Sequence, residues 1–124
     1  MAFPGNFNIS YYKGDTYEFR VYPKDTTGSA FDLTNYQNED ISFVISDKRG
    51  TPGLANQVEA FSEKSLDGSH ILCVIRSTDG SQLSAGTQYV YDVEIKTTQV
   101  SSYDLVYTLL TGNISVTDQV TGAA

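Results

Sequence analysis

Gln88-Tyr89-Val90-Tyr91-Asp92-Val93-Glu94-Ile95-Lys96 is the stretch that decides the fold class. Tyr89, Tyr91, Val93 and Ile95 share one parity, while Gln88, Asp92, Glu94 and Lys96 share the other. A strand turns successive side chains to opposite faces, so this period of two predicts one face in a core and one in water. Thr16 to Tyr22 repeats the pattern with Tyr17, Phe19 and Val21 inward, and Ile41 to Ser46 with Ile41, Phe43 and Ile45.

Further strands are expected at Phe7 to Tyr12, Gln57 to Ser62, His70 to Arg76, Leu105 to Leu110 and Asn113 to Thr117, with a weaker element near Phe31-Asp32-Leu33. Asp25-Thr26-Thr27-Gly28, Asp47-Lys48-Arg49-Gly50 and Leu66-Asp67-Gly68-Ser69 supply turns, each with a glycine for positive φ and an Asp to close the bend. Seven or eight short strands in a 124-residue chain favour an all-β fold, a sandwich of two antiparallel sheets. The expected organisation is a sandwich domain over residues 7–117 between an N-terminal arm, Met1 to Asn6, and a C-terminal arm, Asp118 to Ala124. Gly112 is expected to mark a bulge or kink splitting the last long strand. Ile71 to Ile75 and Val106 to Leu110 are apolar on both faces, so each is either central in its sheet or covered by a partner.

Leu83-Ser84-Ala85-Gly86-Thr87-Gln88-Tyr89 is spaced like a tyrosine corner, in which a tyrosine opening a late strand bonds back to the loop before it; Leu83, Gly86 and Tyr89 are its structural residues. Ser77 to Gln82, just before it, is expected to cross between sheets and to hold at most one helical turn.

Composition narrows the function. Nine Tyr, six Phe and many Val, Ile and Thr suit strands, and 19% charged residues is ordinary globular usage. A formal charge of −7 argues against nucleic acid as a partner. No apolar run is long enough to span a bilayer, and Met1-Ala2-Phe3-Pro4-Gly5-Asn6 lacks the basic and apolar regions of a secretion signal, so the expectation is synthesis in the cytoplasm, with no membrane partner. Two glycosylation sequons, Asn8-Ile9-Ser10 and Asn113-Ile114-Ser115, carry no meaning in that compartment. The single cysteine, Cys73, allows no internal disulfide and reads as a small buried hydrophobe.

Chemistry has few candidates. His70, the only histidine, follows the turn Asp67-Gly68-Ser69 and reads as structural, so no catalytic residue is assigned. His70 and Cys73 are too few for zinc. Carboxylates at Glu39-Asp40 and around Asp15, Asp79 and Asp104 lack the spacing of a calcium loop, so no metal or other cofactor is assigned. Tyr11, Tyr12, Tyr36 and Tyr103 read as loop aromatics suited to protein contacts or, as an alternative, to stacking on sugar rings; Phe3 and Val120 join them as contact residues on the two arms.

Lys13-Gly14-Asp15-Thr16, then Phe31-Asp32-Leu33-Thr34-Asn35-Tyr36, then Leu83 to Ile95, then Thr108-Leu109-Leu110-Thr111-Gly112-Asn113-Ile114-Ser115-Val116-Thr117 form a succession that covers nearly the whole chain. It resembles small immunoglobulin-like virion proteins of tailed bacteriophages. The resemblance implies a non-enzymatic structural protein made in the host cytoplasm and carried in the virion. The first expectation is a capsid cement or decoration protein bridging copies of the major capsid protein, as a homo-oligomer with the trimer as the form to test. A tail or baseplate module touching other virion proteins is the alternative, and a carbohydrate-binding host-adhesion module is the second.

Overall fold

The apolar alternation of the sequence becomes alternating burial in most of the strands. The structure, a computed structural model, describes residues 5–24, 27–34, 36–47, 57–97 and 105–118. The strands are β1 (Gly5–Asn6), β2 (Ile9–Tyr12), β3 (Tyr17–Val21), β4 (Ile41–Ser46), β5 (Val58–Lys64), β6 (Ile71–Ile75), β7 (Gln88–Thr97) and β8 (Leu105–Thr117); one helical turn, α1 (Ser77–Gly80), joins β6 to the corner before β7. They make one curled sheet in the order β1-β8-β7-β4-β5-β6-β3, with β2 also on β8.

The curl happens at β5. Val58, Glu59 and Ala60 pair with β4, whereas Phe61 to Lys64 pair with β6, so a single strand passes from one layer to the other. Strict alternation lapses at the crossing: Val58 and Ala60 are buried, but Phe61 and Ser62 are both half-buried. The layers β8-β7-β4 and β5-β6-β3 have the strand succession of an immunoglobulin-like sandwich. Between them lie Phe43, Ile45, Ile71, Ile75, Tyr91, Val93, Ile95 and Ile114, with the rings of Phe19, Phe43 and Tyr91 meeting edge to face at 5.4–6.1 Å.

Several expectations need correction. The sheet is mixed, because β1 and β2 run parallel to β8; every other pairing is antiparallel. The expected strand Phe7 to Tyr12 is broken at Phe7-Asn8, where the Asn8 side-chain oxygen takes the place of a backbone acceptor for the Asn113 N–H at 3.1 Å. Gly5 and Asn6, assigned to the N-terminal arm, are β1. The two final strands are one, and its irregularity falls at Leu109, which has no residue opposite it between the pairs Val93/Leu110 and Glu94/Thr108.

Gly112 has a different job from the one expected. A Cβ there would sit 2.0 Å from the Phe7 carbonyl oxygen, so the missing side chain lets Phe7 lie against β8. The bulge also explains the apolar run: it switches which parity of β8 faces inward, so both parities carry apolar residues. β8 lies between β7 and the β1–β2 segments, and β6 between β5 and β3, so both doubly apolar strands are central.

Phe31-Asp32-Leu33 is not a strand. Leu33 is fully buried and its N–H donates to the Gly68 carbonyl, while the Asp32 carboxylate accepts from the N–H and hydroxyl of Thr34 at 2.9 and 2.7 Å. The segment is a clasp that plugs the core beside the β5–β6 hairpin. Lys13-Gly14-Asp15 is likewise a turn, with Gly14 at φ 87° and the Asp15 N–H donating to the Tyr12 carbonyl.

Candidate docking groove on the open side of the sandwich

A sheet that curls at β5 is joined on that side and open on the other, where its two end strands, β1 and β3, border a groove. The groove holds about 350 Å³ between Gly5 and Phe7 on one side, the stretch from Phe19 to Lys24 on the other, and Leu109 and Leu110 beneath. Among the described residues, no strand pairs with the edge of β3 that faces away from β6.

Phe7 is held by its backbone while its ring stays out. Its N–H donates to the Thr111 carbonyl at 3.0 Å, and its own carbonyl accepts from the Tyr91 hydroxyl at 2.5 Å. Burial pushes the Tyr91 phenol well above its ordinary range, so the neutral donor form persists. The Phe7 ring, 40% exposed, lies 5.8 Å from Phe19.

Across the groove Tyr22, 56% exposed, lies against His70 with ring centres 5.0 Å apart and the planes tilted by 40°. Pro23 is buried beside it and its carbonyl accepts from the Phe31 N–H, which ends the strand. Arg20 and Lys24 complete the rim. Exposed aromatics fixed on a strand frame, around an apolar floor, are the arrangement that protein interfaces use for their central contacts.

The sequence-predicted residues mostly lie elsewhere. Tyr11 is a correction: it is 2% exposed, part of the core, with its hydroxyl donating to the Asp15 carbonyl. Its parity with Ile9 was the available signal. Tyr36 is half-buried against Phe31 at 6.1 Å, and burial raises its phenol pKa. Tyr12 is exposed, at the end of β2. Phe3, Tyr103 and Val120 lie outside the described residues.

At the corner, the Ser84 N–H donates to the Tyr89 hydroxyl at 2.8 Å, Leu83 is buried, and Gly86 takes φ 81° while its N–H donates to the Val116 carbonyl. Sequence reasoning missed Phe7, Arg20, Tyr22 and Lys24 as a group. The usable signal was Pro23 directly after the alternating run, since proline ends or edges a strand.

Side chains with chemical potential are engaged in structure. Ser69 Oγ lies 2.8 Å from Asp67 and 3.0 Å from His70 Nδ1, so the serine stands between carboxylate and imidazole. An activated serine needs the imidazole in the middle. The Ser65 and Ser69 hydroxyls and the Ser69 N–H hold the Asp67 carboxyl down to about 2. Asp79, which is buried, accepts from the Arg76 N–H and guanidinium at 2.7–3.1 Å. Burial pushes the Cys73 thiol up to about 12, which suppresses the reactive thiolate. Among the described residues, no three of His, Cys, Asp or Glu come together as a metal site would require.

No protein-family model matches this chain, and no curated protein matches it in sequence.

Proposed function

We propose that this chain is a non-enzymatic structural module of a tailed-phage virion, most simply a capsid cement or decoration protein that stabilises the head by bridging capsid subunits as a homo-oligomer. The observation that carries the assembly role is the open groove, with the exposed rings of Phe7 and Tyr22 at its rim on a small acidic domain. The resemblance of the Lys-Gly-Asp, Asp-Leu-Thr and Gly-x-x-Tyr-x-Tyr-Asp segments to virion proteins supplies the kind of assembly. Serine, histidine and cysteine chemistry tied up in turns and core supports a non-catalytic role.

Electron microscopy of particles assembled with and without the protein tests this reading. Smooth but fragile heads in its absence are the expected result. Intact heads with defective tails transfer the protein to the tail or baseplate, and particles unchanged in form and stability reject a virion role. The sugar-binding alternative now lacks Tyr11, which is in the core, and half of Tyr36. Saturable glycan binding lost on Tyr12→Ala would restore it.

A further inference from the structure

We propose that the outer edge of β3 accepts one extended segment of a partner protein, a strand with apolar side chains on one face and a carboxylate on the other, which fills the groove and bridges the two ends of the curled sheet. This rests on the assembly role proposed above and names the partner's chemistry. Three independent features converge on one place.

Main-chain bonding comes first. The pairs from Tyr17 with Ile75 to Val21 with Ile71 use one edge of β3, and its other edge has no partner strand among the described residues. Unpaired N–H and C=O groups in a row are a template for another strand. The available length is about five residues, or roughly 17 Å, because Pro23 has no N–H to give beyond it.

Packing comes second. Leu109 and Leu110 form an apolar floor, flanked by the rings of Phe7 and Phe19. An added strand puts every second side chain on that floor, so alternate apolar residues fit.

Charge selects the opposite face. Glu18, Arg20, Tyr22 and Lys24 share the solvent-facing parity of the segment. Arg20 and Lys24 are two of only eight basic residues against fifteen acidic ones, and neither forms an ion pair among the described residues. Opposite charges on directly facing strand positions attract and like charges repel. A carboxylate therefore belongs opposite Arg20, the basic position within the pairable length, with Lys24 adding positive charge just beyond it and Glu18 disfavouring the other end.

The test uses the full chain with blocked eight-residue peptides that alternate valine with threonine or aspartate, at several registers. Amide hydrogen exchange and calorimetry are the readouts. The expected result is at least a tenfold slowing of exchange at the β3 amides not bonded to β6. Affinity should fall at least tenfold with the Arg20→Glu, Lys24→Glu double variant, with lysine replacing the peptide aspartate, and with N-methylation of the peptide backbone, and it should weaken at high salt.

No protection of β3 by any peptide, or binding indifferent to N-methylation, overturns the proposal. So does protection of those amides already in the free monomer, which means the chain's own residues fill the edge. Concentration-dependent protection with a dimer in sedimentation assigns the edge to a second copy and also overturns it. Normal incorporation of the double variant into particles sinks strand addition while leaving the assembly role standing, whereas absence of the wild-type chain from particles sinks the assembly role whatever the peptides do.

Discussion

Tyr89 and Cys73 show how one atom's surroundings set its importance. The Tyr89 hydroxyl accepts the Ser84 N–H, but Ser84 is exposed, so water can replace the acceptor if the hydroxyl is removed. Tyr89→Phe is therefore expected to cost about 1 kcal/mol and not the larger penalty of a buried orphan donor. Thermal melting should show it as a fall of roughly 4 °C. Cys73 is buried between layers and its thiol is pushed up to about 12, while an unfolded chain ionises it near the ordinary value of 9. The folded state thus binds more protons than the unfolded state above pH ~9, so stability is complete below that value and declines as pH rises toward 12. The Tyr11, Tyr36 and Tyr91 phenols, also raised by burial, act in the same direction. Melting between pH 7 and 11 should fall mainly above 9, and less steeply in Cys73→Ala. A disulfide reagent at pH 8 should modify Cys73 only at the rate of unfolding; immediate labelling of the native chain would contradict its burial.

At the scale of elements, the last strand and the N-terminal segments depend on each other. Gly112 admits the Phe7 carbonyl, which the Tyr91 hydroxyl then holds, and β1 and β2 attach to β8 on either side of that point. Gly112→Ala forces Cβ into backbone atoms that cannot rotate away, so a cost of about 3 kcal/mol is expected, with faster amide exchange from Ile9 to Tyr12. Gly28→Ala is the contrast: nothing lies within 4 Å, and only the φ of +85° is strained, for about 1–2 kcal/mol. If both variants exchange alike over β2, close approach is not what Gly112 provides. The strands β3, β4 and β7 were legible because each alternates cleanly between turns, β6 because a short apolar run follows an explicit turn, and the helical turn α1 fell where the crossover was expected. The bulge at Leu109 was not, since Leu105 to Leu110 is apolar at nearly every position and a change of parity leaves no mark in such a run. Nor was the parallel pairing of β1, because Gly5 meets Leu110 through contacts that leave no local pattern.

The whole molecule is a sheet joined to itself at β5 and open between β1 and β3, and its groove escaped sequence reading because Phe7, Arg20 and Leu109 meet only after the curl is made. What makes the curl a single cooperative body is the ring cluster that ties the layers together. Phe43 on β4, fully buried, touches Phe19 on β3 at 5.4 Å and Tyr91 on β7 at 5.5 Å. Phe19 in turn supports Phe7 at the rim, so the core and the proposed docking surface share one chain of rings. Phe43→Ala leaves a cavity between layers that cannot collapse without moving β3 against β7, and a loss of about 3 to 5 kcal/mol is expected. For a domain this size that lowers the melting temperature by roughly 10–20 °C. Leu66, 102% exposed at the tip of the β5–β6 hairpin, is the control, because Leu66→Ser removes no packing and should stay within about 0.5 kcal/mol of the parent. Two further readings separate local from global damage: Phe43→Ala should unfold in one transition, and its sub-denaturing exchange should quicken in β3 and β7 together. A Phe43→Ala chain that melts with the parent would mean that the layers are not held by these rings.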